Sequence, residues 1–229
     1  MTTCLEVLNN GTSRFDCLSK DSLKLPRHGH AICCLNDKFL IVTGSRLEKD
    51  GACRSVESYN IDVDLWFDLP MLNQGRYYHS SCGFNDQWVY VFCGISISSK
   101  KYFNSIERLD TKAVGSNKVW HEMQLTADSA SFTVRQGCGS SQINNNEILV
   151  FGGFGGEFLK DCHLVRHSDF KLTKFNREPP MKIFAFQMPT LYDQQSGNML
   201  TADWQSKRVL RFDNQQKWYV VKDLNQVQQ

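Results

Sequence analysis

Short apolar runs separated by turn residues recur along the whole chain. Four of them are clear: KFLIVTG ends at Gly44, WVYVFCG at Gly94, EILVFGG at Gly153, and NMLTAD at Asp203. Their ends lie about 50 to 60 residues apart, and a period near 50 is typical of propellers and other repeat arrays. The pattern therefore predicts four copies of one structural unit.

Each unit has the composition of four short strands. In the first unit, HAICCL, KFLIVTG, SVESYNI and LWFDL are rich in β-branched and aromatic residues and are bounded by turn residues. Asn36-Asp37 predicts a tight hairpin between the first two runs, and Asn85-Asp86 repeats this pattern in the second unit. The second run is continuously apolar, which indicates burial on both faces. The Gly after it allows the chain to leave a crowded centre where a Cβ would clash.

Other positions repeat in register with these runs. An Arg-x-x-His pattern precedes the first two runs, and the third unit has Arg-x-x-Cys; the positions are Arg27–His30, Arg76–His79 and Arg135–Cys138. Two apolar positions follow each run, and they are filled by Tyr59 and Trp66, Leu109 and Trp120, Val165 and Leu172, and Phe212 and Trp218. Large aromatic residues at these positions would fill the gap between adjacent sheets.

Together, Arg-x-x-His, the apolar run, the Gly doublet of Phe151-Gly152-Gly153 and the pair Tyr59…Trp66 resemble the kelch repeat. The resemblance implies an all-β, kelch-type β-propeller of about four full four-stranded blades. We expect blades at 21–72, 73–124, 125–178 and 179–221, a partial blade at 1–20 and a tail at 222–229, all in one propeller domain.

The N-terminal residues resemble the outer half of a further blade. Leu8-Asn9 followed by Phe15-Asp16 has the same spacing as Tyr59-Asn60 followed by Trp66-Phe67. We therefore expect an incomplete ring, with the missing blades supplied by a longer chain or by a second molecule. Two alternatives remain open: residues 4–18 are only a cap, or they pair with residues 208–221 and close a four-bladed ring.

Composition narrows the function classes. The chain has 229 residues, 41% of them hydrophobic, and a formal net charge of +2. This balance argues against disorder and against a dedicated nucleic-acid binder, and no apolar run reaches the length of a membrane span. The nine cysteines form no C-x-x-C pair, and several lie in apolar runs. They are typical of reduced core residues, which predicts a cytoplasmic protein.

No residue pattern points to catalysis, a cofactor or a metal site. His30 and His79 recur at equivalent strand starts, which indicates a structural role. His163 and His167 have a metal-ligand spacing only on a helix, whereas their segment is typical of a strand. Gly152–Gly156 lacks the Lys-Ser/Thr of a phosphate loop, and no G-x-S-x-G nucleophile turn is present.

The loops between the second and third strands carry the candidate binding residues. In kelch-like propellers these loops line one mouth of the ring, and such loops commonly carry recognition. They are mildly basic, which favours an acidic peptide or protein surface, with Tyr102 and Trp204 as aromatic anchors. The candidates are Arg46, Lys49, Arg54, Lys100, Lys101, Tyr102, Lys160, Trp204 and Lys207.

The resemblance implies a non-catalytic protein-interaction module. Proteins with such propellers act as adaptors or scaffolds in cytoskeletal, ubiquitin-ligase or signalling complexes. The alternative is an enzyme on the same scaffold, similar to a copper oxidase or a sugar-processing enzyme, which would need converging Tyr and His ligands.

Overall fold

The structure is a computed structural model. It describes residues 6–9, 14–17, 23–47, 51–96, 101–124, 131–185, 190–193, 195–203 and 205–223. Within these ranges the chain is all-β except for one 3-10 turn at Gly115–Asn117. No helix in the described part is long and apolar enough to cross a membrane.

The strands form four antiparallel four-stranded sheets and two small hairpins. The N-terminal hairpin has β1 (Glu6–Asn9) and β2 (Arg14–Cys17). Blade 1 has β3 (Ala31–Leu35), β4 (Phe39–Leu47), β5 (Gly51–Asn60) and β6 (Leu65–Leu69). Blade 2 has β7 (Ser80–Phe84) and β8 (Trp88–Phe92), then a hairpin of β9 (Ile95–Ser96) and β10 (Lys101–Tyr102), then β11 (Ile106–Asp110) and β12 (Trp120–Glu122).

The remaining strands complete two further blades. Blade 3 has β13 (Gly139–Gln142), β14 (Glu147–Phe151), β15 (Cys162–Arg166) and β16 (Leu172–Phe175). Blade 4 has β17 (Thr190–Asp193), β18 (Asn198–Asp203), β19 (Arg208–Phe212) and β20 (Trp218–Asp223). The first strands pack side by side, β3 on β7, β7 on β13 and β13 on β17, which is the arrangement of a propeller. The predicted fold class is confirmed.

The tight turns follow the predicted chemistry. Asn36 and Asp37 between β3 and β4 have φ of 47° and 54°, and Asn85 and Asp86 between β7 and β8 have φ of 47° and 52°. Two consecutive left-handed residues match the right-handed twist of a hairpin, and Asn and Asp tolerate this conformation. These dipeptides therefore fix the register of the first two strands in blades 1 and 2.

The N-terminal hairpin has the register of an outer strand pair. Leu8 lies opposite Phe15, just as Tyr59 lies opposite Trp66 in blade 1. Among the described strands, β1 and β2 hydrogen-bond only to each other. One alternative was that this segment pairs with residues 208–221 of blade 4. The described strand pairings do not include that pairing.

The glycine alignment predicted from the sequence is wrong by one residue. Arg27, Arg76 and Arg135 each donate from Nη1 to the carbonyl of a residue 17 positions later, at distances of 2.7, 2.7 and 3.1 Å. The acceptors are Gly44, Cys93 and Gly152. These three residues share a left-handed φ of 57°, 61° and 61°. The equivalent arginines contact the carbonyls of Gly44, Cys93 and Gly152, so these three residues occupy the same position at the end of the second strand. Gly44 is therefore not equivalent to Gly94 and Gly153.

Three apolar cores hold the blades together, one at each junction between successive blades. Blade 1 contributes Cys33, Leu35, Ile41 and Val56 against Val89, Val91, Leu109 and Trp120 of blade 2. Blade 2 contributes Cys82, Phe84, Tyr90, Phe92 and Ile106 against Ile148, Val150, Val165 and Leu172 of blade 3. Blade 3 contributes Leu149, Phe151 and Cys162 against Met199, Leu210 and Phe212 of blade 4.

Most cysteines belong to these cores. Of the seven cysteines whose side chains are described, six are buried, and all seven are free thiols. Cys34 is the exposed one. Burial raises the pKa of the Cys33 thiol to about 12 and also raises the pKa of Cys82 and Cys162. Cys4 and the side chain of Cys17 lie outside the described residues.

The outer faces of blades 1 and 4 are more exposed than the junctions in the part of the chain that the structure describes, although Val42 and Tyr59 on the blade 1 face are buried. Among the described residues, no apolar cluster combines side chains of blade 1 with side chains of blade 4. Ile32 on the end face of blade 1 is 51% exposed, and Leu191 on the end face of blade 4 is 63% exposed. Apolar packing therefore links blades 1 to 4 in a row.

Candidate functional site

A buried arginine in each of the first three blades fixes the base of the loops at one mouth. The Arg27 guanidinium donates to Ser55 and, at 2.5 Å, to Glu57, and both ions are almost fully buried. Arg76 repeats this pattern with Ser105 and Glu107, again with a 2.5 Å contact to the carboxylate. A buried ion pair with additional hydrogen bonds holds one geometry, so the loops leave the blade from a rigid base.

Blade 3 uses a rearranged version of this ion pair. Val91 pairs with Glu107 in blade 2, whereas the equivalent Val150 pairs with His163 in blade 3. The carboxylate has moved to Asp161, which receives two hydrogen bonds from Arg135 at 2.7 and 2.8 Å. Burial lowers the pKa of His163 to about 4, although the nearby Asp161 carboxylate opposes the shift. His163 is therefore neutral at physiological pH.

The residue after each of these arginines is held at the mouth by backbone hydrogen bonds. Tyr77 forms a bridge with Ile95, and Gln136 forms the equivalent bridge with Phe154. In blade 1 the amide of Arg46 donates to the carbonyl of His28 at 2.9 Å. These bridges place the start of each blade next to the exit of its second strand.

Aromatic side chains line this mouth in two contacting groups. Tyr102, Phe154, Phe158 and Phe184 form a chain of ring contacts with centroid separations of 6.4, 5.2 and 5.5 Å. The rings of Tyr77 and Tyr78 lie 4.6 Å apart. We call these six residues the aromatic row. All are half-buried except Tyr77, which is buried, so most rings in the row still present surface to solvent.

Two glycines make room for rings of the aromatic row. A Cβ on Gly29 would lie 2.7 Å from the Tyr78 ring, and a Cβ on Gly137 would lie 2.2 Å from the Phe184 ring. The carbonyl of Tyr78 also accepts a hydrogen bond from the Gly137 amide at 2.8 Å. Gly137 therefore lies between the two groups of rings and brings them to the same mouth.

The structure brings together some of the residues predicted from the sequence. The exposed Arg46 lies 6.0 Å from the Tyr77 ring centroid, and the exposed Lys101 precedes Tyr102 in β10. Tyr102 itself is half-buried against Phe154. Of these three predicted residues, Tyr102 belongs to the aromatic row, Arg46 lies near the Tyr77 ring, and Lys101 directly precedes Tyr102.

The other candidates contribute less to this surface. Arg54 donates to the carbonyl of Leu72 at 2.5 Å, and Lys160 is paired with Glu178 at 2.9 Å. Lys207 lies in the turn between β18 and β19, where its amide donates to Asp203 at 3.0 Å. The predicted residues Lys49, Lys100 and Trp204 lie outside the described residues.

Sequence analysis missed most of the aromatic row. Tyr77 and Tyr78 are the two middle residues of the second Arg-x-x-His pattern, where the first unit has His28 and Gly29. Phe154 and Phe158 lie in the loop between β14 and β15, for which the prediction used only the charged residues. A comparison between units could have indicated these residues. At positions that line the mouth, the later units have aromatic residues where the first unit has small or polar ones.

The buried histidines are engaged in structural hydrogen bonds. His79 Nε2 bonds the Thr43 hydroxyl at 2.8 Å, and His167 Nδ1 bonds the Tyr90 hydroxyl at 2.7 Å. Burial and the neighbouring Arg76 lower the pKa of His79 well below its usual value. Across the described residues, no group of three His, Cys, Asp or Glu side chains is placed to hold a metal ion.

Comparison with protein families agrees with this architecture. The family model described as the KLHDC2/KLHL20/DRC7 Kelch-repeats domain matches residues 3–191. A comparison with curated proteins gave no match. Kelch-repeat domains of this kind are generally non-catalytic protein-interaction domains. The matched segment covers most of the chain and all of blades 1 to 3, and the chain belongs to the KLHDC2/KLHL20/DRC7 kelch-repeat family.

Proposed function

We propose that this protein is a non-catalytic interaction module that recognises a partner protein through the mouth lined by the aromatic row. The observation that carries the proposal is the clustering of six aromatic side chains beside Arg46 and Lys101. Aromatic residues and arginine dominate the binding energy of protein interfaces, because they offer large contact areas at low entropic cost. Membership of a family of interaction domains supports the same conclusion.

The charges around the mouth favour an acidic partner. Arg46 has no carboxylate within 4.0 Å among the described residues, whereas Lys160 and Lys182 already pair with Glu178 and Glu157. An acidic segment would therefore meet Arg46 and Lys101 as it approaches the aromatic row. Such complementarity mainly accelerates association and selects the partner. An adaptor or scaffold role in the cytoplasm fits this kind of recognition.

The enzyme alternative has no comparable support. In the part of the chain that the structure describes, the mouth carries no acid–base pair next to a nucleophile. The buried charged side chains at its base are already paired with one another as arginine–carboxylate ion pairs. We therefore propose one function only.

A quantitative pull-down with mass spectrometry tests the proposal. We compare the wild-type chain with Tyr102→Ala/Phe158→Ala and with the control Val114→Ala, which removes an exposed apolar side chain from the β11–β12 connection. The double variant should lose the specific partner, because truncation of an aromatic anchor costs about 2 kcal/mol or more. The control should retain it.

A second measurement separates recognition from folding. Arg46→Glu with Lys101→Glu should slow association with the same partner and reduce the salt dependence of the association rate. Circular dichroism should show that both mouth variants keep the native fold. Full retention of every specific partner by the folded aromatic variant would exclude this mouth as the binding surface.

A further inference from the structure

The junction between blades 2 and 3 contains a cavity next to its core residues Tyr90 and Ile106. It has a volume of about 620 Å³ and opens at the outer rim of the propeller. Tyr90, Ile106, Arg108, Met123 and Phe170 are among its lining residues, and so are the exposed Glu122 and Asp169. None of these residues belongs to the aromatic row, so the cavity is separate from the proposed mouth.

A difference between the repeats explains the cavity: the fourth strand of blade 3 has a smaller residue where blades 2 and 4 have tryptophan. Trp120 lies opposite Leu109, and Trp218 lies opposite Phe212; the equivalent position opposite Val165 is occupied by the smaller Leu172. Trp120 fills the junction of blades 1 and 2, and Trp218 packs at the junction of blades 3 and 4. Blade 3 thus lacks the indole ring that fills the gap at the other junctions.

The position of the missing indole coincides with the cavity wall. Trp120 Nε1 donates to the carbonyl of Pro70, which directly follows Leu69 at the end of blade 1, at 2.7 Å. The equivalent pair at the end of blade 2, three and four residues after Trp120, is Met123 and Gln124. Both residues line the cavity. A tryptophan at position 172 would therefore point towards the space that is open here.

Arg108 lies two residues after Ile106 on the same face of β11 and lines the same cavity. The Arg108 guanidinium carbon lies 4.6 Å from the Trp88 ring centroid and 3.2 Å from the Phe170 ring centroid. No carboxylate among the described residues lies within 4.0 Å of it; Asp110, the nearest on its strand, accepts hydrogen bonds from Gln87. Asp169 at the rim is already paired with Arg166 at 2.9 Å.

Other groups hold the walls in place. The Tyr90 hydroxyl is hydrogen-bonded to His167 Nδ1 at 2.7 Å, and His167 stacks on Phe84 with ring centroids 4.8 Å apart. Burial lowers the pKa of Arg108, although the Tyr90 hydroxyl and the Asp110 carboxylate oppose the shift. The cavity therefore combines aromatic and apolar side chains with the cations Arg108 and Lys171 and the exposed carboxylates Glu122 and Asp169.

We propose that this cavity binds a small organic carboxylate with a flat apolar body. The carboxylate pairs with the Arg108 guanidinium, for which the planar two-oxygen geometry is well matched. The apolar body occupies the space that tryptophan fills at the neighbouring junctions, between Ile106 and Met123. This site is independent of the proposed mouth.

Calorimetry with indole-3-propionate as the probe tests the proposal. The matched control ligand is indole-3-propionamide, which has the same body without the charge. The wild-type protein should bind the acid on the order of tenfold more tightly than the amide, since a charge-assisted hydrogen bond is lost in the amide. Equal affinity for both ligands, or no binding of the acid at millimolar concentration, would overturn the proposal.

Two variants locate the site. Leu172→Trp should fill the cavity and abolish binding of both ligands, while the midpoint of thermal unfolding stays the same or rises. Arg108→Gln should remove the preference for the acid but keep the affinity for the amide. The matched control is Arg211→Gln, because Arg211 also stacks on an aromatic ring, Tyr219, but lies on blade 4. Binding that survives Leu172→Trp in a folded protein would place the ligand elsewhere.

Discussion

Individual buried residues give this propeller a dependence on pH. Burial lowers the pKa of His30, His79 and His163, the last to about 4, so all three are neutral in the folded protein near pH 7. In the unfolded chain a histidine has a pKa of about 6.5. The unfolded state therefore binds more protons than the native state between these two values, and acid favours unfolding there.

We expect the free energy of unfolding to fall as the pH is lowered from about 6.5 towards 4. Urea denaturation at pH 7.5, 6 and 5 measures this slope. His163→Gln should flatten the slope, because the variant has one fewer group that gains a proton on unfolding. Val114→Ala is the control, since it changes an exposed residue and no titratable group, and it should leave the slope unchanged. An identical slope in His163→Gln would contradict the assignment.

At the level of single elements, the outer strand decides how well each junction is filled. Trp120 in β12 is 4% exposed in a complete junction. Trp66 in β6 occupies the equivalent place on the end face of blade 1, where it contacts the Tyr59 ring at 5.1 Å. The same side chain at the same strand position thus has two different environments.

This difference predicts unequal effects of the same substitution. Trp120→Ala should cost about 3–5 kcal/mol of folding free energy, because it opens a large cavity and removes the hydrogen bond to Pro70. Trp66→Ala should cost less than about 2 kcal/mol, because Trp66 is only half-buried where it packs on the Tyr59 ring. Chemical denaturation of both variants measures the two values. Equal losses would mean that the end face of blade 1 is as well packed as a junction.

At the scale of the whole molecule, apolar cores link the successive blades, whereas several apolar side chains on the outer faces of blades 1 and 4 are exposed. Leu191 and Leu200 of blade 4 are 63% and 40% exposed, and Ile32 of blade 1 is 51% exposed. Monomeric proteins rarely leave such strands uncovered, since apolar faces and strand edges promote association. The described residues of blades 1 and 4 therefore expose apolar side chains of the kind that propellers normally cover by closure.

We expect the isolated chain to bind a hydrophobic dye and to associate as its concentration rises. Leu191→Lys with Leu200→Lys should reduce both effects, because the substitutions charge the end face of blade 4. Analytical ultracentrifugation and dye fluorescence provide the measurements, with Val114→Lys as a control at an exposed loop. A monomer that neither binds dye nor changes with concentration would show that the end faces are covered.

Repetition explains why the fold was predictable from one sequence and the mouth was not. The strands, the Asn-Asp turns and the apolar pairs such as Phe212 and Trp218 recur in register, so every copy supports the others. The aromatic residues of the proposed binding surface differ between copies: Tyr77 and Tyr78 have no counterpart in the first unit. The cavity could not be predicted from the sequence either, because Leu172 is a typical core residue. Only the structure shows that Met123 and Arg108 line a cavity at the junction to which Leu172 belongs.

The row of junctions has a consequence for how such a protein can change in length. Each core uses only two successive blades, so an added or deleted terminal repeat would create or remove one junction and leave the internal ones intact. A closed ring lacks this freedom, because a change in blade number alters the angle at every junction. Gene duplication could therefore lengthen or shorten this array one blade at a time without redesigning its interior.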